Sequence, residues 1–244
     1  MPFLSGFRMT ETHSKDYFNA LPVVRSLKSI DMFRFNSPVT FFVGENGSGK
    51  STLMEALAVA AGLNAEGGSR NFNFATKRTE SGLHHHIQLA RSARERDGYF
   101  LRAESYYNVA SHIDYLDEMP AFAPPLINSY GGTSLHAQSH GESFMALIQN
   151  RLRCGLYFFD EPEAALSPTR QMTLLVEIDR LVKAGSQLII ATHSPILLAY
   201  PGADIYEISE EGIVLTPYTE TAHYSITKRF LNDTPGMLRR LLED

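Results

Sequence analysis

The sequence predicts an α/β fold with a mainly parallel central sheet, an antiparallel β portion and a small helical lobe. Short apolar strands recur along the chain, each is followed by Gly-rich or helical sequence, and three of them end in polar residues that can share one crevice. With 244 residues, 43% hydrophobic and 20% charged, the chain is long enough to bury a full core. It is read as a single domain over 1–244, with the lobe at roughly 105–152.

Taken in order, Val39 to Val43 is the first buried strand, an apolar, β-branched and aromatic run cut off at Gly44. A Leu- and Ala-rich helix follows from Lys50 to about Ala61 and stops at Gly62. His86 to Ala90 and Tyr99 to Ala103 read as strands flanking the charged turn Arg94 to Gly98. The Pro- and Gly-rich stretch from Pro120 to Gly132 reads as a mobile connection before a helix from about Glu142 to Leu152. Leu156 to Phe159 and Leu188 to Ala191 repeat the buried-strand signature. Between them runs a helix from Pro168 to Ala184, with Met172, Leu175, Val176, Ile178, Leu181 and Val182 as its apolar residues and Gly185 as its stop. Two last strands, Ile205 to Ile208 and Ile213 to Leu215, turn at Glu211-Gly212 before short helices.

Gly44-Glu45-Asn46-Gly47-Ser48-Gly49-Lys50-Ser51 matches Gly-x4-Gly-Lys-Ser and sits between a buried strand and a helix start. Such a loop bends so that successive N–H groups point at phosphate oxygens, and the positive end of the helix dipole adds to that field. Lys50 is expected to bridge the β- and γ-phosphates and Ser51 to place its hydroxyl on Mg²⁺, with Thr52 next to it in the binding set. Leu156-Tyr157-Phe158-Phe159 ends in Asp160-Glu161. That puts Asp160 at a strand tip beside the phosphate loop, where it can hold Mg²⁺ through water. Glu161, one position on, can act on the attacking water as general base or positioning group. His193 ends a third apolar strand about thirty residues later, where its imidazole can donate a hydrogen bond to the γ-phosphate.

Phosphate loop, Asp160-Glu161-Pro162 and His193, in this order and spacing, resemble the ABC ATPase superfamily of P-loop NTPases. The resemblance runs from about residue 22 to 215. Within the superfamily it is nearest to small stand-alone predicted ATPases, similar to the nucleotide-binding heads of DNA-repair and chromosome-organising ATPases. It implies ATP and Mg²⁺ as ligands and ATP hydrolysis as activity. It also implies a homodimer with ATP at its interface, in which a signature segment opening a helix closes over the γ-phosphate of the opposite copy. Gln138-Ser139-His140-Gly141-Glu142-Ser143 stands where that segment belongs. Ser139 and Gly141 fit, Glu142 replaces glutamine and His140 replaces the usual glycine; a polar helix cap explains the same residues equally well. Ala165-Leu166-Ser167-Pro168 resembles the segment that touches the partner subunit, without its usual aspartate. Glu104 stands where the family has a glutamine lining the Mg²⁺ site, and a salt-bridged surface glutamate is the alternative. Tyr17, Phe18, Phe33 and Phe35 are candidates for stacking on adenine, with core packing the default for each.

Several classes are disfavoured. No stretch approaches the roughly 18 apolar residues of a membrane span, and the N-terminus lacks the apolar core of a signal peptide, so a cytoplasmic location is expected. The single cysteine, Cys154, reads as a small buried residue. A net charge of −5 argues against broad attraction to nucleic acid, and Lys77-Arg78 with Arg91, Arg94 and Arg96 reads as a solvated loop and strand more readily than as a basic face. His84-His85-His86, taken as part of a strand, would point to alternate faces and not to one metal ion. Two biological readings stay open, a free-standing ATPase of DNA-associated or defence processes and the nucleotide-binding subunit of a transporter with a membrane partner. A slow regulatory nucleotide switch is the third.

Overall fold

A computed structural model describes residues 2–13, 15–69, 81–103, 111, 113–117, 125–132 and 139–242, with His140 described by its backbone alone. The chain opens with β1 (Leu4–Met9), a short helix α1 (Pro22–Leu27), β2 (Phe33–Arg34) and β3 (Val39–Gly44), followed by α2 (Lys50–Ala60) and β4 (Gly68–Ser69). Next come β5 (Ile87–Arg91), β6 (Gly98–Arg102), α3 (His140–Arg151), β7 (Leu156–Asp160), α4 (Pro168–Lys183) and β8 (Gln187–Ala191). The last elements are α5 (Pro195–Leu198), β9 (Asp204–Ser209), β10 (Gly212–Leu215), α6 (Ala222–Asn232) and α7 (Thr234–Leu242).

The main sheet runs β10-β9-β3-β8-β7-β6-β4. Its five inner strands are parallel, and β10 and β4 are antiparallel edges. A parallel sheet needs cover on both faces, and β3, β7 and β8 are buried at every residue. Alternation splits their side chains between two cores. Phe41, Tyr157, Phe159 and Ile190 face α3 and α4, where Phe144, Leu147, Ile178 and Leu181 pack. Phe42, Phe100, Phe158 and Ile189 face α2, α1 and a small antiparallel sheet of order β2-β1-β5. Strand order positions the functional residues: β8 lies between β3 and β7, and Asp160 and Phe42 both register with Ala191. The carboxyl ends of these three strands are therefore level and adjacent.

Most expected elements form within a residue or two of their sequence boundaries, and the departures have local causes. The strands flanking the charged turn do not pair with one another; β5 belongs to the small sheet and β6 to the main one. His84-His85-His86 lie in a 3-10 turn, Leu83–His86, and not in a strand, because Gly82 enters the left-handed region just before it. Cys154 is exposed, since it sits in the turn between α3 and β7 and not in the strand its apolar neighbours belong to. The connection from Pro120 is described only from Pro125 onward. There Leu126–Tyr130 form a 3-10 turn whose Tyr130 is buried in the core. Arg151 at the end of α3 holds Asp97 with two bonds of 2.9 and 3.0 Å, which fixes the helix to the start of β6. Lys77, Arg78, Glu104 and Gln138 lie outside the described residues. Of the other basic residues, Arg91 is paired with Glu95 at 2.9 Å.

On α4 the inward stripe is Leu174, Ile178 and Leu181. Met172 and Val176 point outward, at 54% and 66% exposure, because a helical face repeats at three and four residues and skips them. Ile178→Ala is expected to cost about 2–5 kcal/mol and Val176→Ala no more than about 0.5 kcal/mol. Urea unfolding of both variants checks this, and equal losses would mean the stripe is misassigned.

Candidate functional site

Gly49 caps α2 in the left-handed region at φ 94°, and a Cβ there would come within 2.5 Å of Val23 Cγ1. Only glycine lets the phosphate loop turn into the helix under that side chain. Lys50 is 4% exposed. Its ammonium lies inside the loop, donating to Gly44 O at 2.7 Å and Glu45 O at 3.0 Å. Burial lowers its pKa, and Glu161, Asp160 and Glu45 pull the other way.

Ser51 Oγ donates to Asp160 Oδ1 at 3.1 Å, joining the first turn of α2 to the tip of β7. The second carboxylate oxygen faces Arg102 Nε at 3.6 Å. Arg102 also donates to Glu55 Oε2 at 3.2 Å. Ser51, Asp160 and Arg102 line a cleft of about 290 Å³ with Ala103 and Glu161. Arg102 was not singled out by sequence reasoning. Its signal is the register, which sets it directly opposite Asp160. Glu104, two residues on, is outside the described residues.

Glu161 is the one non-glycine residue with positive φ among those described, at φ 49° and ψ 52°. Such a conformation costs on the order of 1–3 kcal/mol and persists where its surroundings enforce it. Here Glu161 N–H donates to Ala191 O at 2.9 Å and Pro162 opens a 3-10 turn straight after it. Its carboxylate stands 3.5 Å from His193 Nε2.

His193 is fixed by two residues that the motifs did not reveal. Glu163 accepts from His193 N–H at 2.5 Å and from the Thr192 hydroxyl at 2.8 Å, so the acidic segment holds the histidine loop. Burial raises the Glu163 pKa in spite of these bonds. His223, from the first turn of α6, brings its Nε2 to 2.9 Å from His193 Nδ1. Burial lowers the pKa of both imidazoles, and the Lys50 charge acts in the same direction. His223 also borders a second cavity of about 750 Å³, whose wall includes Gly44 to Ser48 and Glu207. Glu163 could have been suspected from its place two residues after the acidic pair; His223 had no sequence signal.

Ser139 and Gly141 lie at the start of α3. Ser139 is its N-cap in a reciprocal box with Glu142, accepting from Glu142 N–H at 3.4 Å while Glu142 Oε2 accepts from Ser139 N–H at 3.0 Å. Glu142 also meets Arg170 at 3.1 Å. The bonds from Ser139, with that of Arg170, lower the Glu142 pKa. A Cβ on Gly141 would come within 2.9 Å of Ala165 O, so glycine permits close packing against the Ala165-Leu166 segment. Of the adenine-stacking candidates, Phe18, Phe33 and Phe35 are buried in the core and Tyr17 is exposed.

Two family models match. One, described as "AAA domain", covers residues 24–111. The other, described as "AAA domain, putative AbiEii toxin, Type IV TA system", covers residues 88–199. Among curated relatives, the ABC multidrug transporter atrG of Aspergillus oryzae is 25% identical over 80% of this chain and 15% of its own length. The ribose import ATP-binding protein RbsA of Caldanaerobacter subterraneus is 27% identical over 79% of this chain and 40% of its own. The chain thus spans well under half the length of either. Among solved structures, an ATP-binding cassette of an ABC transporter superposes with a TM-score of 0.52 at 15% identity, covering 96% of this chain and 97% of that one. CbiO1 from Clostridium perfringens, part of the ABC transporter complex cbiONQ, gives 0.52 at 16% identity over 98% and 100%. Their fold is the fold found here, mostly parallel with a small antiparallel sheet. The first domain model spans the phosphate loop and the second spans the acidic pair and His193, so the parts of the site fall within two AAA-domain matches, and the chain is similar to ABC-type P-loop ATPases in sequence and in fold.

Proposed function

We propose that the protein binds and hydrolyses ATP as a homodimer with two ATP molecules sandwiched between its copies, each γ-phosphate held by one copy's phosphate loop and the other copy's Ser139 and Gly141. The observation that carries the reading is the convergence of Lys50, Ser51, Asp160, Glu161 and His193 at the level tips of β3, β7 and β8. Gly44 to Thr52 cradle the phosphates, the loop N–H groups and Lys50 facing their oxygens. The donor set fits Mg²⁺: Ser51 hydroxyl and Asp160 carboxylate are hard oxygen ligands 3.1 Å apart. Ser51 and Asp160 would hold the ion, with Glu104 the third candidate, and the ion would offset charge on the β- and γ-phosphates. Glu161 takes or orients the proton of the attacking water, and His193 donates to the γ-phosphate across the same gap.

Hydrolysis removes the γ-phosphate contacts and with them the reason for the two copies to stay closed. What this cycle drives divides into two readings. The match to an AbiEii-type AAA domain over residues 88–199 supports a DNA-associated or defence process. The transporter relatives support a nucleotide-binding subunit, which would need a separate membrane partner, since no described helix is long and apolar enough to cross a membrane.

The dimer is tested by light scattering behind a sizing column on Glu161→Gln protein with and without ATP·Mg²⁺. Its mass is expected to double with ATP. Adding Ser139→Arg is expected to block the doubling while ATP still binds one-sidedly, because a guanidinium cannot enter a closed phosphate contact built around a serine. Dimers that survive Ser139→Arg would reduce that residue to a helix cap.

A further inference from the structure

His193 and His223 share one hydrogen bond. Their facing nitrogens are 2.9 Å apart, and a neutral imidazole carries one N–H and one bare acceptor, so one ring must donate and the other accept. If His193 donated from Nδ1, its Nε2 would be a bare lone pair 3.5 Å from the Glu161 carboxylate, acceptor against acceptor. The Nδ1–H of His223 would then be a buried donor without a partner among the described residues. Buried orphan donors are the rarer kind of unsatisfied group. His193 Nε2 is likewise buried without a hydrogen-bond partner among the described residues, but it faces a carboxylate at 3.5 Å, so the opposite polarity sets a proton and not a lone pair against that charge. His193 Nε2 carries its proton toward Glu161 and the cleft, and the atom left unpaired on His223 is an acceptor.

Building on the proposed ATP site, we infer that His223 is a positioning residue of the reaction, donating Nε2–H to His193 Nδ1 and so fixing His193 as the tautomer whose Nε2–H can donate to the γ-phosphate. Burial keeps both rings below the ordinary histidine range, so the neutral forms that this logic needs prevail near pH 7. His223 is itself held in place. Thr221 caps α6 by accepting from Tyr224 N–H at 3.3 Å, and Ala222 N–H donates to Glu207 Oε1 at 3.1 Å. The start of α6 is thereby tied to the nucleotide site, by His223 at His193 and by Ala222 at Glu207.

The test compares the wild-type chain with His223→Gln, whose amide N–H₂ lies near the original Nε2 and can donate, and with His223→Leu, which cannot. Long-range ¹H–¹⁵N spectra of histidine-labelled protein read which nitrogen of His193 is protonated, and phosphate release gives kcat and KM. Wild type and His223→Gln are expected to show His193 protonated at Nε2. His223→Leu is expected to show mixed tautomers and a kcat lower by about 10-fold with KM unchanged, the size seen when an imidazole loses its orienting partner. An identical His193 tautomer in all three proteins overturns the inference, as does an unchanged kcat in His223→Leu when His193→Ala has lost turnover. If His193→Ala itself turns over normally, the γ-phosphate role of His193 falls, and the tautomer spectra alone then decide the role of His223.

Discussion

Glu161→Gln protein is expected to bind ATP with near wild-type affinity and to hydrolyse it about 10²–10³-fold more slowly. The range is that of a missing positioned general base, and it corresponds to about 3–4 kcal/mol of transition-state stabilisation. The substitution keeps size and shape and removes only the charge and proton affinity. The backbone at 161 stays in the left-handed region in either case, because Ala191 O and the Pro162 turn hold it there, so the fold has no reason to change. Steady-state phosphate release gives kcat, and nucleotide titration gives affinity. A fall in kcat without a rise in KM is the mark of an interaction made in the transition state. Retained turnover would remove Glu161 from the chemistry and leave its strained backbone as a structural feature of the β7 tip.

The strain also shows where sequence reading stops. The periodicity of Val39–Val43, Leu156–Phe159 and Leu188–Ala191 located three strands within a residue, because a parallel strand covered on both faces is written as an unbroken apolar run. The turn from β3 into α2 was legible for a different reason: Gly49 takes a left-handed conformation under Val23 where a Cβ has no room. What was not legible depends on lateral neighbours. Arg102 meets Asp160 only once the register of β6 on β7 is known. His223 reaches His193 through a helix some thirty residues later, with no motif to announce it. Val176 and Met172 looked like core by composition, but the angle of α4 turns them outward. Cys154 failed as a buried residue because a turn two residues before a strand is not part of it. The signature residues fall between these cases. Their capping box is a local interaction that the sequence offered as one of two explanations, while the proposed closure over a partner's phosphate would be a property of two chains.

Lys50→Ala separates nucleotide binding from folding more sharply than any other change. The ammonium is buried among two backbone carbonyls, and burial works against its charge. Removing it relieves a desolvated cation, so thermal stability in the absence of nucleotide should be equal to that of the wild type or slightly higher. With ATP·Mg²⁺ the balance inverts. In the proposed site Lys50 would trade its two carbonyl partners for oxygens of the β- and γ-phosphates, charge-assisted bonds of about 1.5–3 kcal/mol each. Losing them is expected to weaken ATP·Mg²⁺ binding by about 10²–10³-fold, which calorimetric titration measures directly. The same loss cancels the ATP-induced rise in melting temperature, because a ligand stabilises only in proportion to its binding. A lower melting point without nucleotide would make Lys50 a structural tie of the loop, and unchanged affinity would contradict the phosphate-loop assignment itself.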